Sequence, residues 1–319
     1  MVRKPRFVPP GGALVEITTK TTQSRFLLRP SPEAHDVTTG VLARAARIHD
    51  VPVHAAVVMS NHFHLLISVD DAKQMADFMR DVKSNIARET NRLIGWKGTF
   101  WEGRYHHVIV SEEEKAQVER LAYQLAHGVK EDLVEHVTEW PGLHCAEALM
   151  TGRSLVGTWH DRTKSWKSRQ KGDDPHPNQF AEREILTFTK LPCWAHMSDA
   201  QYRAAIEKLV AKVEEDARLA RGKKGVLGVA AILAQDPETK LEDAERRPAP
   251  RVHAASRAVR QALIDALRQF ELAYRAAAER LREGHRNVTF PEGCFPPGLP
   301  FVPFPGSRRA RASPSAAAG

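Results

Sequence analysis

The chain has 319 residues, 42% of them hydrophobic, with 47 Lys+Arg against 39 Asp+Glu and a formal net charge of +8. That apolar content supports a buried core and excludes global disorder, while the positive balance favours a polyanionic partner, nucleic acid being the usual one. Three widely spaced cysteines (Cys145, Cys193, Cys294), a basic N-terminus with no apolar segment behind it, and no run of membrane-spanning length predict a reduced, cytoplasmic protein without a signal peptide.

In chain order, the β-branched and apolar residues of 14–29, which follow Pro9-Pro10-Gly11-Gly12, predict a first strand. Val41, Leu42, Ala45 and Ile48 recur at helical spacing within 33–49. Residues 53–59 and 62–69 read as two strands joined by a short Ser60-Asn61 turn. Asp70-Asp71 then caps a helix over about 72–94, whose apolar stripe is Met75, Phe78, Met79, Val82, Ile86 and Leu93. A strand at 105–110 follows, and Ser111-Glu112-Glu113-Glu114 predicts an N-cap with an acidic first turn, opening a helix to about residue 126. The order β-α-β-β-α-β-α predicts an α+β domain over 1–155, an antiparallel sheet with helices packed on it. Residues 156–182 read as a basic linker, 183–285 as a helical region with helices near 183–190, 198–221 and 253–284, and 286–319 as a Pro-rich, disordered tail.

The chemistry concentrates at His62-Phe63-His64. Successive strand side chains point to opposite faces, so the two histidines share one face and Phe63 takes the other. Two adjacent imidazoles make half of a metal site, although a His-x-His pair alone is unremarkable in a chain with 15 histidines. Tyr123 and His127, about sixty residues on, are i, i+4 and project from one helix face. Three neutral imidazoles suit a divalent cation with open coordination positions. His106 and His107, being consecutive in a strand, point apart and are discounted as a metal pair.

Asn61-His62-Phe63-His64-Leu65-Leu66, followed by Tyr123-x-x-x-His127-x-Val129-Lys130-x-x-Leu133-Val134, resembles the single-tyrosine HUH transposases, and within them the REP-associated tyrosine transposases and the small insertion-sequence transposases. Phe100-Trp101-Glu102-Gly103-Arg104-Tyr105 is similar to the Trp-containing strand before their tyrosine helix, and Trp140-Pro141-Gly142 to the segment that closes their domain. The resemblance spans roughly residues 10–150. It implies an HUH endonuclease-like, ferredoxin/RRM-like fold. It also implies a Mg²⁺ or Mn²⁺ ion held by His62, His64 and His127, with Tyr123 as the nucleophile on single-stranded or hairpin DNA. Attack would give a 5′-phosphotyrosine and a free 3′-hydroxyl, and rejoining would need no ATP. The family's third ligand is usually Asn or Gln, so His127 is a departure that shifts the expected preference toward Mn²⁺. Ser60 replaces a common proline. A homodimer, with the site inside one chain or shared between two, is compatible with the family.

DNA contacts are expected from the i+4 series Arg80, Ser84, Arg88 and Arg92 with neighbouring Lys83, from Arg104, and from Trp166 among Lys164, Lys167, Arg169 and Lys171. Competing readings are a non-catalytic hairpin-binding derivative, a relaxase or rolling-circle initiator, and a metallophosphodiesterase with no covalent step. The region after residue 180 has no readable chemistry.

Overall fold

The computed structural model describes residues 5–241, 249–285 and 287–295. Seven strands are described: β1 (Ala13–Lys20), β2 (Val53–Val58), β3 (His62–Val69), β4 (His106–Val110), β5 (Leu155–His160), β6 (Ala181–Leu186) and β7 (Val252–His253). The helices are α1 (Pro32–His49), α2 (Ala72–Ile94), α3 (Glu114–Leu125), α4 (Ala146–Thr151), α5 (Arg162–Gln170), α6 (Asp199–Arg221), α7 (Val229–Leu233) and α8 (Arg257–Arg282). The main sheet runs in the order β2-β3-β1-β4-β7, antiparallel except for the parallel β4–β7 pair, and β5 and β6 form a separate hairpin. The expected α+β architecture is therefore borne out.

Local chemistry explains the boundaries. Gly12 enters β1 with φ +89°, where a Cβ would lie 2.7 Å from the Val69 carbonyl oxygen. Ser31 caps α1 by accepting from Ala34 N, with Pro32 at its first position. Asp71 caps α2 by accepting from Gln74 N at 2.7 Å, and Gly95 ends that helix in the left-handed conformation. The β2–β3 hairpin closes through Met59 N to His62 O at 2.8 Å, leaving Ser60-Asn61 as the turn.

The sheet has two covered faces. Phe63, Leu65 and Ile67 pack with Val41, Leu42 and Ala45 of α1 and with the α2 stripe Met75, Phe78, Met79, Val82 and Ile86. These α2 residues are almost wholly buried, and each contributes about 2 kcal/mol of transfer free energy as an upper bound. On the other face, Leu14, Ala55, Val57 and Leu66 pack with Leu121 and Leu125 of α3, behind which Ile206, Val210 and Val213 of α6 are buried. α8 adds a small third cluster in which Phe270 and Leu267 meet Phe7 and Ile109.

Four expectations are corrected. The first strand ends at Lys20, because Gln23 and Ser24 adopt φ of +53° and +52° in a turn whose backbone bonds to Asn61 and Phe100. Ser111 does not cap α3. It donates to Glu113, whose carboxylate instead accepts from Ala255 N and Ser256 N at the start of α8. The helix expected at 183–190 is β6: full pairing with β5 and the ion pairs of Glu184 to Arg44 and Arg47 of α1 outweigh its weak helical pattern. The stretch 156–182 is ordered by that same pairing and by α5, which Arg162 anchors through Nε to Glu89 Oε1 at 2.9 Å. Of the tail expected to be disordered, residues 286 and 296–319 lie outside the described residues. Residues 287–295 are described, and Cys294 bridges Phe7.

Candidate active site

The pleat of β1 places Glu16, Thr18 and Lys20 on the face that carries His62 and His64, because Thr18 pairs with His64 and Lys20 with His62. α3 crosses this face and brings Tyr123 down, and the turn after α3 brings His127. The result is a cavity of about 640 Å³ whose walls include Lys20, Asn61, Arg104, His106, Arg120 and Tyr123.

The three expected metal ligands converge. Ring centroids are 5.1 Å apart for His62–His64, 5.6 Å for His62–His127 and 4.2 Å for His64–His127. One ring nitrogen from each lies within 4.8 Å of the others. Two ligands of a single ion, each about 2.1 Å away, can be at most about 4.2 Å apart, so small ring rotations complete the set.

The contacts of the other ring nitrogens support a ligand role. His62 Nδ1 lies 2.6 Å from Asn61 Oδ1, His127 Nδ1 3.2 Å from the Gln124 carbonyl oxygen, and His64 Nδ1 3.1 Å from Thr18 Oγ1 and 3.4 Å from Glu16 Oε1. Nδ1 of His62 and of His127 faces an oxygen that can only accept, which assigns the proton there and leaves Nε2 as the donor nitrogen, while Nδ1 of His64 faces a hydroxyl and a carboxylate. Burial lowers the pKa of all three imidazoles; repulsion by the neighbouring histidines adds to this for His62 and His127, while the Glu16 carboxylate opposes it for His64, and burial prevails in each, favouring the neutral form a ligand needs. The Lys130 ammonium lies 3.2 Å from His127 Nε2, and already sets a cation against this donor group.

Tyr123 stands over the cluster, its ring 5.6 Å from His64 and 4.9 Å from His127, and it is 38% exposed, open to a ligand in the cavity. Burial raises its pKa above the ordinary phenol value and the Glu16 carboxylate adds to this, while Arg120 opposes it. Lys130 Nζ and the Arg120 guanidinium lie 3.8 Å and 4.8 Å from the ring centroid. Of the charges around the phenol, Arg120 favours the phenolate, but burial and the carboxylates outweigh it.

Beneath them Glu16 is 3% exposed and accepts from Arg120 Nη1 at 3.0 Å. Burial pushes its carboxyl pKa up, but the nearby His64 imidazole and the Arg120 guanidinium outweigh burial and hold it below the ordinary carboxylate range. Glu16, Arg120 and Lys130 were not singled out from the sequence. The alternation Leu14-Glu16-Thr18-Lys20 within a strand is the signal that marks the polar face.

The expected DNA-binding residues are only partly brought to this cavity. Arg104 lines it. Arg80, Lys83, Arg88 and Arg92 belong to α2, on the opposite face of the sheet. There Arg80 pairs with Asp77 and Asp81, Lys83 donates to the Gly103 carbonyl, and Arg88 contacts Asn85. Trp166 is 59% exposed on α5. His106 lines the cavity while His107 faces away from it and is buried, in keeping with their exclusion as a pair.

Residues 21–122 match the model of a family described as "Transposase IS200 like". The match covers 102 of 319 residues, includes both strand histidines and stops one residue before Tyr123. No curated protein matches the chain. Among solved structures, a REP-associated tyrosine transposase bound to a REP hairpin aligns at 17% identity and a TM-score of 0.36, over 44% of this chain and 81% of that one. A candidate transposase from Deinococcus radiodurans R1 aligns at 22% identity and a TM-score of 0.28, over 39% and 96%. At these scores neither likeness bears on the assignment, which rests on the family match and the motifs. The resemblance read from those motifs is borne out: residues 21–122, which supply the paired histidines, match the model of the IS200-like transposases.

Proposed function

We propose that this protein nicks and rejoins single-stranded or hairpin DNA through Tyr123, as a transposase whose site holds a Mg²⁺ or Mn²⁺ ion on His62, His64 and His127. One observation carries the reading: Tyr123 packs against His64 and His127 in a cavity where all three histidines turn Nδ1 to an oxygen. A bound divalent ion would polarise the scissile phosphate.

The chain's own residues supply the rest. Lys20, Arg104 and Arg120, around the cavity, attract and seat the phosphate backbone. Tyr123 Oη attacks phosphorus and forms a phosphotyrosine ester, while the bond to the 3′ oxygen breaks and that oxygen takes a proton from solvent and leaves as a 3′-hydroxyl. Arg120 and Lys130, against the phenol ring, stabilise the charge that builds on Oη as its proton departs to solvent. The reverse step, attack of a 3′-hydroxyl on the phosphotyrosine, rejoins strands with the bond energy conserved.

The test uses end-labelled single-stranded hairpin oligonucleotides with Mn²⁺ or Mg²⁺. A denaturant-resistant protein–DNA adduct is expected from the wild type and none from Tyr123→Phe. Cleavage that persists in Tyr123→Phe would overturn the covalent mechanism in favour of a water nucleophile.

A further inference from the structure

Glu16 lies outside the residues that match the family and outside both motifs, yet it sits directly beneath the site. Its carboxylate is buried on the histidine face of β1, where an unpaired charge would be strongly disfavoured. Oε2 accepts from Arg120 Nη1 at 3.0 Å. Oε1 has no hydrogen bond of good geometry within the protein, and its polar neighbour is His64 Nδ1 at 3.4 Å. Arg120 lies one helical turn before Tyr123 on α3 and stacks over the Tyr123 ring. One carboxylate therefore touches both the strand that carries a ligand and the helix that carries the nucleophile.

We infer that Glu16 is a positioning residue for the proposed metal site: it holds the His64 imidazole with Nδ1 protonated, which leaves Nε2 as the nitrogen that would bind a metal, and through Arg120 it supports Tyr123 against the His64 ring. A carboxylate behind a ligating histidine fixes the ring's tautomer and orientation and raises its basicity. Thr18 Oγ1 is nearer to the same nitrogen, at 3.1 Å, but a hydroxyl can donate as well as accept and cannot by itself select the tautomer. The inference rests on the metal-site reading above, and the measurements separate the two.

The variants are Glu16→Gln, Glu16→Gln/Arg120→Gln, Thr18→Val and His64→Ala, all in the full chain. The double variant removes both charges of the buried pair, so it folds even if Glu16→Gln strands Arg120. Long-range ¹H–¹⁵N spectra of the metal-free protein should report His64 as a single Nδ1-protonated tautomer in the wild type and as a mixture in both Glu16 variants. Mn²⁺ binding should weaken roughly 10- to 100-fold in those variants and by less than about threefold in Thr18→Val, while melting temperature in the double variant stays near wild type. Saturating Mn²⁺ should restore part of the adduct yield. An unchanged tautomer and an Mn²⁺ affinity within threefold of wild type in both Glu16 variants would overturn the inference, as would the full loss in Thr18→Val. If the wild type binds Mn²⁺ no better than His64→Ala, the metal site itself is refuted, and the tautomer spectra still decide whether Glu16 orients His64.

Discussion

His127 occupies the position where the resembling transposases carry an amide. An imidazole is a softer donor than an amide oxygen and tolerates Mn²⁺ better than Mg²⁺. Its Nδ1 contact with the Gln124 carbonyl fixes the ring, so the substitution is accommodated by the backbone of its own helix end. His127→Asn should therefore keep adduct formation while raising the Mg²⁺-to-Mn²⁺ activity ratio. His127→Ala should lower adduct yield by roughly tenfold or more at limiting metal. Adduct yield titrated against each metal checks both, and equal ratios in wild type and His127→Asn would remove His127 from the ligand set. The motif spacing made the histidines and the tyrosine legible. Lys130, written in the same motif, was passed over because its position against His127 and the Tyr123 ring depends on how the chain turns after α3.

Among the elements, α1 and the β5–β6 hairpin meet backbone to backbone. A Cβ at Gly40 would lie 2.3 Å from the Thr158 carbonyl carbon, and one at Gly157 would lie 2.2 Å from Gly40 N. These two glycines let α1 and β5 approach, and Arg44 and Arg47 then reach Glu184. Gly40→Ala offers no flexible neighbour to yield, so a loss of at least about 1–3 kcal/mol is expected, read as a lower melting temperature. Hydrogen exchange in 155–186 should rise with it, and unchanged exchange there would show that the hairpin does not depend on this contact. The strands β2 and β3 and helices α1 and α2 were legible because each pairs a strong apolar period with turn or cap residues. β6 was not, because its six residues have a weak pattern that only β5 and α1 resolve.

Across the whole molecule, the net charge of +8 is not confined to the cavity. Arg88 and Arg92 of α2 are exposed, as are Lys164, Trp166 and Lys167 of α5, and the Arg162–Glu89 pair joins the two helices. If DNA runs over this surface, each phosphate contact removed by Lys164→Ala or Lys167→Ala should reduce the salt dependence of single-strand affinity by about 0.7 in log–log slope. Trp166→Ala should cost about 1–3 kcal/mol of binding where a base stacks. Affinity measured at several salt concentrations decides it. An unchanged slope in the lysine variants would take α5 out of the DNA path. The described helices include none long and apolar enough to cross a membrane. The C-terminal helices gain a role that no motif announced: α6 backs α3, and Glu113 at the start of α3 accepts from the first residues of α8. The helix that carries Tyr123 is thus held from both sides.

The sequence by itself determined which chemistry is available, since two histidines at strand spacing and a tyrosine with a histidine at helix spacing are local patterns fixed by backbone periodicity. It also determined the α+β class, from the order of apolar periods. Only the tertiary structure decided that the histidine face of the sheet is the face α3 crosses, that Glu16 and Arg120 lie beneath it, and that the α2 arginines are on the other side. Those are relations between segments distant along the chain, set by strand register and by which helix covers which face, and no local period encodes them.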